Sequence, residues 1–308
     1  MLMGPRRAGK TTLMFQVIHH VIGKKDIPPR DILYVSLDHL TLSECSIPEI
    51  IEVFRAEFQH GRKHRLFVFL DEIQNSPNWA QHLKNLVDFE NLWLCVAGSS
   101  SLLIERQSTF LTGRALRNHI YPLNYVEFLT FKDRMPGPTE MYRHEGLLLE
   151  YLYQGGYPEH ILNPHPTYLT DLLDAVINKD IVRVHGIKNP QILSKILLLL
   201  SQRIGQRTSH SKLKNILRVS QDLVRNYVHY LMEAYVVERS QLRIYEAKFT
   251  NQIDDDTLES LIKFIDKFPK DQKLREPTIV TRNLDEIRTF GKIRIKCVPL
   301  WKLLLDDE

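Results

Sequence analysis

The feature that most constrains this chain is a glycine-flanked loop at residues 4–11, followed at once by a helix-compatible stretch. It reads Gly-Pro-Arg-Arg-Ala-Gly-Lys-Thr, which fits the P-loop pattern of two glycines, a lysine and a hydroxyl residue at fixed offsets. In such a loop backbone N–H groups turn inward around phosphate oxygens, and the following helix presents its positive end to the anion. The alternative is a glycine-rich turn before a basic helix.

The P-loop interpretation gives each residue of the loop a role toward ATP and Mg²⁺. Lys10 is expected to contact the β- and γ-phosphates, and Thr11 to place its hydroxyl on Mg²⁺. Glycine is needed where the backbone must approach phosphate without a Cβ. The predicted nucleotide-binding residues are Gly4, Arg6, Arg7, Ala8, Gly9, Lys10, Thr11 and Thr12.

Three short apolar runs follow the loop, at 32–37, 66–70 and 92–97. They are nearly continuous in apolar residues rather than alternating, which is typical of strands covered on both faces of a parallel sheet. Helical spacing over 47–58 and 79–89 fills the intervals between them. The pattern predicts an α/β fold with a P-loop NTPase parallel sheet at its core.

Two carboxylates stand directly after the second apolar run, at Asp71 and Glu72. Ligands of open α/β sheets bind at the carboxyl ends of the strands. We therefore expect Asp71 to hold Mg²⁺, directly or through water, and Glu72 to orient and polarise the attacking water. Either carboxylate alone could instead cap the next helix. A glutamate after the aspartate favours an ATPase over a pure nucleotide sensor.

The turn after the third run is rich in serine, and an arginine-containing stretch comes soon after it. Ser99 or Ser100 is expected to hydrogen-bond the γ-phosphate or the lytic water, although serine-rich turns are common. Arg114, in a basic stretch with Arg106 and Arg117, could neutralise γ-phosphate charge in cis or from a neighbouring subunit. The equally weighted alternative is a surface arginine paired with a carboxylate.

Composition narrows the class of protein without naming a substrate. Apolar residues make up 43% and charged residues 25% of the 308 residues, which excludes wholesale disorder. No apolar run approaches about eighteen residues, so no transmembrane helix is predicted. A secretory signal does not fit the first residues and the three cysteines are far apart, so we expect a cytoplasmic protein without disulfides. The net charge of +4 permits a nucleic-acid partner but does not indicate one.

The second half of the chain is helix-rich from about residue 141, after a linker-like stretch at 134–138. Two helices are predicted over 211–217 and 221–234, with Ser220 as the N-cap of the second. The pair looks like a helix–turn–helix. Its recognition helix would place Ser220, Gln221, Arg225 and Asn226 toward base edges, and Lys212, Lys214 and Arg218 toward the phosphate backbone. The alternative is a packing module, for which Asp222 and Glu233 on the same helix also argue.

Together these motifs resemble one family, the prokaryotic AAA+-like P-loop ATPases with a DUF4143 C-terminal region, also called the AAA_14 family. The matching stretches are Gly-Pro-Arg-Arg-Ala-Gly-Lys-Thr-Thr-Leu at 4–13, Phe-Leu-Asp-Glu-Ile-Gln at 69–74, Gly-Ser-Ser-Ser at 98–101, Leu-Thr-Gly-Arg at 111–114, Tyr-Pro-Leu-Asn-Tyr-Val-Glu-Phe at 121–128 and Gly-Gly-Tyr-Pro-Glu at 155–159. The resemblance implies an ATPase core over 1–135, a helical lid over 136–190, a winged helix-turn-helix over 191–240 and a small α+β nuclease-like fold over 241–308. It does not supply a substrate.

The chain departs from the family pattern at both ends. Only three residues precede Gly4, so we expect a shortened first strand and a weakened affinity for ATP. Near the other end, Glu246 and Lys248 share one face of a predicted strand at 242–250 and resemble half of a restriction-endonuclease-like site. The aspartate that such a site needs on an earlier strand is missing from the sequence pattern, and Glu238 is a poor substitute. The segment is therefore interpreted as an inactive remnant.

Two classes of function follow from these patterns. The first is a Mg²⁺-dependent ATP-hydrolysing molecular switch with DNA, or a second copy of the chain, as a candidate partner. The second is a truncated, non-catalytic interaction or DNA-binding protein that binds nucleotide weakly. A nuclease is a third and weaker class. A small-molecule kinase is disfavoured because Glu72 suits water activation.

Overall fold

The computed structural model describes residues 1–42, 45–99, 111, 113–140, 142–202, 208–237, 245–247, 278–290 and 293–305. The chain divides into two compact units, of which the first comprises Met1–Pro122 with Asn163–Glu238 and the second Leu123–Leu162 with Arg239–Glu308. The division cuts the stretch 136–190, expected to form a lid, between residues 162 and 163. The four-part organisation stays a prediction.

The first unit is built on a five-stranded, all-parallel sheet. Its strands are β1 Leu2–Met3, β2 Ile32–Ser36, β3 Leu66–Asp71, β4 Leu92–Gly98 and β5 Asn118–His119, in the spatial order β2-β3-β4-β1-β5. The three predicted strands and the parallel sheet are confirmed. Strand β5 was missed because two polar residues, Asn118 and His119, give no apolar run.

Strand β1 is short, and both of its edges are paired. Leu2 lies opposite Ala97 of β4 and Asn118 of β5, and Met3 is fully buried. Backbone pairing on both sides fixes the direction in which the chain enters the loop at Gly4. The expected loss of ATP affinity from a short first strand stays a prediction.

The helices of the two units alternate along the chain. In chain order they are α1 Lys10–Lys25, α2 Ile47–Glu57, α3 Trp79–Phe89, α4 Tyr125–Phe131, α5 Arg143–Gln154, α6 Pro158–Leu162, α7 Tyr168–Ala175, α8 Pro190–Ser201, α9 His210–Leu217, α10 Gln221–Glu233 and α11 Leu300–Leu305. Helix α7 continues through a π-helical stretch, Val176–Val182, into a final turn, Arg183–His185. No helix in the part of the chain that the structure describes combines the length and apolar character needed to cross a membrane.

The sheet of the first unit is covered on both faces, as the continuous apolar runs predict. Val68 and Leu70 of β3 pack in a buried cluster with residues of α2 and α3, such as Ile51 and Trp79. The intervening Phe69 belongs to a second buried cluster, together with Met14 of α1. Successive strand residues point to opposite faces, so β3 needs apolar side chains at every position.

Helices α8, α9 and α10 share a separate core that includes Leu213, Val224 and Leu231. Ser220 caps α10, since its Oγ accepts a hydrogen bond from the Leu223 N–H at 3.2 Å. The two predicted helices are therefore confirmed within about one residue, and Ser220 is confirmed as the cap. A winged helix is not established, because residues 238–244, where a wing would begin, lie outside the described residues.

The second unit contains a four-stranded mixed sheet in the order β6-β7-β9-β8. Its strands are β6 Tyr245–Ala247, β7 Thr278–Thr281, β8 Glu286–Phe290 and β9 Ile293–Pro299. Strands β6, β7 and β9 are parallel, and β8 is antiparallel to β9. Strand β8 was missed by the sequence analysis. Glu238, Lys248 and the side chain of Glu246 lie outside the described residues, so the nuclease-like remnant stays a prediction.

Two of the motifs behind the resemblance meet inside the second unit. The Leu123 N–H donates a hydrogen bond to the Gly156 carbonyl oxygen at 2.7 Å. A Cβ at Gly156 would lie 2.1 Å from the Leu123 carbonyl oxygen, so only glycine fits there. The Gly-Gly-Tyr-Pro stretch thus has a packing role in positioning the start of α4.

Candidate nucleotide-phosphate site

The loop at residues 4–11 connects β1 to α1 and needs glycine at both of its ends. Gly4 has a φ of +157°, and a Cβ there would lie 1.9 Å from the Ile120 carbonyl oxygen beside β5. Gly9, at the N-cap of α1, has a φ of +98°, a conformation that L residues rarely adopt. The tight turn places the N-terminus of α1 at the carboxyl edge of the parallel sheet, which is the usual ligand edge of such sheets.

Lys10 is the first residue of α1 and is only 5% exposed. Its Nζ donates hydrogen bonds to the carbonyl oxygens of Gly4, at 2.9 Å, and Pro5, at 2.7 Å. Burial lowers the pKa of Lys10, while the nearby carboxylates of Glu72 and Asp71 raise it. Because of its two hydrogen bonds, the Lys10 side chain lies over the loop, where its ammonium group can contact a phosphate.

Asp71 ends β3 beside α1 and forms the anionic half of the site. Its Oδ2 accepts hydrogen bonds from Thr11 Oγ1 at 2.5 Å and from the Tyr34 hydroxyl at 3.4 Å. Burial, together with this carboxylate, raises the pKa of Tyr34 to about 12, so the phenol stays a donor. The Asp71 Oδ1 accepts the Glu72 N–H at 2.9 Å.

Thr11 and Asp71 offer the oxygen donors that Mg²⁺ prefers. Adjacent ligand oxygens of octahedral Mg²⁺ lie about 2.9 Å apart, given bonds of about 2.0–2.1 Å. The 2.5 Å between Thr11 Oγ1 and Asp71 Oδ2 needs only a small expansion to reach that spacing. The residues present therefore fit a magnesium ion held between the loop and the end of β3.

Glu72 has a left-handed backbone, with a φ of +51°. Its Oε2 accepts hydrogen bonds from Gln74 Nε2 at 2.5 Å and from Ser99 Oγ at 3.1 Å, and Gln74 Nε2 also lies 3.1 Å from Ser99 Oγ. Non-glycine residues in this conformation cost free energy and cluster at functional sites. The end of β3 and the end of β4 thus hold one carboxylate oxygen from two sides.

Gln74 was not among the predicted site residues, although it closes the Phe-Leu-Asp-Glu-Ile-Gln stretch on which the resemblance rests. Among the described residues its buried Oε1 has no hydrogen-bond partner. A buried amide oxygen without a partner costs free energy, which a water or a ligand hydroxyl would recover. Ser99 lies where the sequence predicts it, while Ser100 falls outside the described residues.

The two arginines of the loop contact the α7 region. Arg6 Nε and Nη2 donate to Asp180 Oδ2 at 2.5 Å and Oδ1 at 2.6 Å, and this bidentate hydrogen bond raises the pKa of Arg6. The Arg7 guanidinium stacks over the Tyr168 ring, 5.2 Å from its centroid. Arg6 and Arg7, predicted to surround a nucleotide, therefore link the loop to a distant helix. Of the other predicted loop residues, Ala8 is buried and Thr12 is exposed.

Arg114 is paired with a carboxylate at the surface, as the alternative interpretation of this residue expects. Its Nε donates to Asp88 Oδ1 of α3 at 2.9 Å, and the pair is partly exposed. A role for Arg114 toward a nucleotide, in cis or from a second copy, stays a prediction. Arg106 lies outside the described residues.

The basic residues predicted to contact DNA lie on the surface of α9, α10 and the turn between them. All four are exposed, namely Lys212, Lys214, Arg218 and Arg225, and so is the neutral Asn226, predicted to contact a base edge. Arg225 also lies 3.5 Å from the Asp222 carboxylate, one turn away on the same helix. Their exposure is compatible with either reading of this segment.

Comparison with protein families identifies the part of the chain that carries the site. Residues 1–129 match the AAA_14 model, described as an AAA domain. The N-terminal region is thus similar in sequence to AAA domains. Residues 145–256 match DUF8612, a domain of unknown function. The expected DUF4143 region is therefore not confirmed, since a different family model covers that stretch.

The curated proteins that the chain resembles are uncharacterised. The chain is 30% identical over 250 residues to the protein MJ1544 of Methanocaldococcus jannaschii, covering 77% of this chain and 55% of that protein. It is 25% identical over 249 residues to a protein of Haemophilus influenzae, covering 78% and 61%. The chain thus spans little more than half the length of the curated relatives it matches.

Two solved structures resemble the chain distantly. One is the DNA clamp loader delta protein YqeN of Bacillus subtilis, with a TM-score of 0.29, 10% identity, and coverage of 77% of this chain and 83% of that one. The other is a closed state of Hsp104 with ATPγS and casein, with a TM-score of 0.34, 14% identity, and coverage of 86% and 50%. Both TM-scores lie well below those of proteins that share an overall fold.

Proposed function

We propose that this chain is an ATP-dependent molecular switch whose AAA-like domain binds Mg²⁺-ATP and hydrolyses it. One observation carries the proposal: the Thr11 hydroxyl and the Asp71 carboxylate meet at 2.5 Å. This contact lies beside a buried Lys10 and a restrained Glu72. A loop lysine, a metal-binding hydroxyl, a strand-end aspartate and a water-orienting group are the recurring parts of P-loop hydrolysis.

Each residue has a definable task in this reaction. Lys10, now bonded to two carbonyl oxygens of its own loop, gains a charge-assisted bond to a phosphate oxygen. Thr11 and Asp71 would hold a Mg²⁺ ion, whose charge would offset that of the phosphates. Glu72, steadied by Gln74 and Ser99, accepts a hydrogen bond from the attacking water and aims its oxygen at phosphorus.

The decisive experiment is the variant Glu72→Gln. The amide keeps the size of the side chain but is a poor acceptor for the water proton, so we expect turnover to fall by about a hundredfold or more. Affinity for Mg²⁺-ATP should change less than about threefold, because Glu72 does not hold the phosphates. Phosphate release and nucleotide titration of the purified chain measure the two quantities.

The matched control is Glu57→Gln, an exposed glutamate of α2, which should leave turnover unchanged. Equal turnover in Glu72→Gln and wild type contradicts the catalytic role of Glu72. Mg²⁺-ATP binding without any turnover in the wild-type chain favours the rival function, a non-catalytic interaction protein.

We also propose duplex DNA as a partner of this chain. The supporting observation is the exposed basic set on α9, α10 and their connecting turn, which includes Lys212, Lys214 and Arg225. Lysine suits phosphate contacts and arginine suits guanine edges. The alternative, a packing module between parts of a longer protein, uses the same two helices without nucleic acid.

A further inference from the structure

A cluster of two histidines and an aspartate lies at the edge of the first sheet that is remote from the phosphate loop. Asp31 closes a 3₁₀ turn immediately before β2, while His60 and His64 lie in the connection between α2 and β3. Strands β2 and β3 are parallel neighbours, so their starts share one edge of the sheet. Asp71, at the end of β3, marks the opposite edge.

The three side chains converge on one carboxylate oxygen. Asp31 Oδ1 lies 3.2 Å from His60 Nε2 and 3.0 Å from His64 Nε2. The two imidazole rings stack at 4.2 Å with an interplanar angle of 8°. One donor atom from each residue falls within 4.8 Å of the others. All three donor atoms are therefore close enough to one another to bind one metal ion.

The short distances are not hydrogen bonds. Asp31 Oδ1 is buried, and among the described residues it accepts no hydrogen bond of acceptable geometry. The ring N–H directions therefore miss the oxygen although the atoms are close. A buried carboxylate oxygen without a hydrogen bond is costly. A cation between these three atoms would accept a lone pair from the carboxylate oxygen and from each of the two imidazole nitrogens.

The loop that carries the histidines is held by other contacts. Buried Arg55 of α2 donates from Nη1 to the Gly61 carbonyl oxygen at 2.9 Å and to that of His64 at 3.1 Å. Arg55 is itself paired with Glu90 at 3.1 Å, which offsets its charge near the cluster. The His60 N–H donates to the Arg55 carbonyl oxygen at 2.8 Å. These contacts hold the backbone of the loop that carries His60 and His64.

We propose that Asp31, His60 and His64 bind a divalent transition-metal ion, for which Zn²⁺ is the best match. Two imidazole nitrogens and one carboxylate oxygen are a ligand set typical of zinc. Bonds of about 2.0–2.2 Å in a tetrahedron place ligand atoms about 3.3 Å apart, close to the 3.0 and 3.2 Å observed. The His64 side chain is 42% exposed, which leaves solvent access and a fourth position for water.

The ion would fasten the α2–β3 connection to the start of β2. Because the ligands must already be near one another for the ion to bind, its binding free energy adds to the stability of the folded first unit. This stabilising role is separate from the phosphate site, since the cluster lies at the edge of the sheet opposite Asp71. It stands independently of whether ATP is hydrolysed.

The test uses the purified full chain stripped with a chelator and then titrated with Zn²⁺ and, for spectroscopy, Co²⁺. We expect one tight equivalent, a rise in Tm with Zn²⁺, and the intense visible absorption of tetrahedral Co²⁺. His64→Ala and Asp31→Asn should each weaken Zn²⁺ binding by about a hundredfold and abolish the rise in Tm, since each removes a ligand. His64→Cys keeps a ligand and should add a thiolate-to-Co²⁺ band in the near ultraviolet.

The chain contains 13 histidines, so a matched control is needed. His20→Ala removes an exposed histidine of α1 and should leave binding, Tm and spectrum at wild-type values. His64→Ala replaces a partly exposed side chain, and its Tm without metal should equal that of the stripped wild type. Wild-type affinity in both His64→Ala and Asp31→Asn overturns the proposal, as does a wild-type chain that takes up no stoichiometric Zn²⁺.

Discussion

At the scale of single residues, the candidate site depends on side chains whose backbones are fixed by unusual conformations. Gly4 and Gly9 lie at φ values that exclude ordinary side chains, and Glu72 adopts a left-handed conformation despite its Cβ. The strain at Glu72 turns its carboxylate toward Gln74 and Ser99. Strain of this kind persists only where surrounding contacts over-determine the conformation.

Gln74 supplies a prediction at this scale. In Gln74→Ala, Glu72 loses the 2.5 Å donor that orients its carboxylate but keeps Ser99. We expect kcat for ATP hydrolysis to fall about tenfold while the Kd of Mg²⁺-ATP stays the same, because Gln74 positions a catalytic group and does not bind phosphate. Steady-state turnover and nucleotide titration separate the two effects.

The control for that variant is Gln81→Ala, which removes an exposed glutamine of α3 and should leave both constants unchanged. Gln74→Ala leaves room for a water near Glu72, so the free energy of unfolding should fall by only about 1 kcal/mol. A rise in Kd with kcat unchanged would show that Gln74 serves nucleotide binding instead.

At the scale of elements, the phosphate loop is tied to the helical segment that begins with α7. Arg6 binds Asp180 in a bidentate ion pair, and Arg7 stacks on Tyr168. Asp180 lies within the π-helical stretch Val176–Val182, and such stretches often occur at functional sites. Any movement of the phosphate loop is thereby coupled to the position of this helix.

The Arg6–Asp180 pair competes with any role of Arg6 toward phosphate. In Asp180→Asn the guanidinium is released and one negative charge beside the loop is removed, so repulsion of a triphosphate decreases. We expect the Kd of Mg²⁺-ATP to fall about threefold to tenfold, as measured by fluorescent-nucleotide titration.

Asp174→Asn removes an exposed aspartate of α7 and serves as the matched control for charge alone. It should change the Kd less than twofold, roughly the effect of a screened surface charge. Weaker ATP binding in Asp180→Asn would mean that the ion pair holds the loop in its binding conformation rather than restraining Arg6.

At the scale of the whole molecule, the stretch that matches the AAA_14 model covers less than half of the chain, and residues 145–256 match a family without a known function. The first unit combines the parallel sheet with helices α7 to α10, and the second combines α4, α5 and α6 with the mixed sheet. Each unit is thus assembled from segments distant in sequence.

Salt-sensitive DNA binding is the prediction that belongs to this scale. If α9 and α10 face DNA, retention of a duplex should weaken steeply as salt rises, since each neutralised phosphate releases counterions. Arg225→Ala should then lower affinity about tenfold, corresponding to the loss of one base-edge contact. Arg62→Ala, an exposed arginine of the α2–β3 connection, should leave it unchanged. Binding that is absent or insensitive to salt removes DNA as the partner.

Much of the first unit follows from local sequence pattern. The continuous apolar runs fix strands β2, β3 and β4 because a strand buried on both faces needs an apolar side chain at every position. The Gly4–Thr11 loop predicts the turn and the start of α1, since only glycine reaches the required backbone conformations. Ser220 predicts the start of α10 because its hydroxyl satisfies an N–H that the helix leaves free.

The sequence by itself thus determined the parallel core, the phosphate loop and the carboxylates facing it, because each leaves a periodic or motif-sized trace along the chain. Only the tertiary structure decided that strand β5 flanks β1, that Arg6 binds Asp180 174 residues away, and that Arg114 pairs with Asp88. It alone brought His60 and His64 to Asp31. These are polar contacts between distant segments, and a contact of that kind has no period, no spacing rule and no compositional signal until the chain is folded.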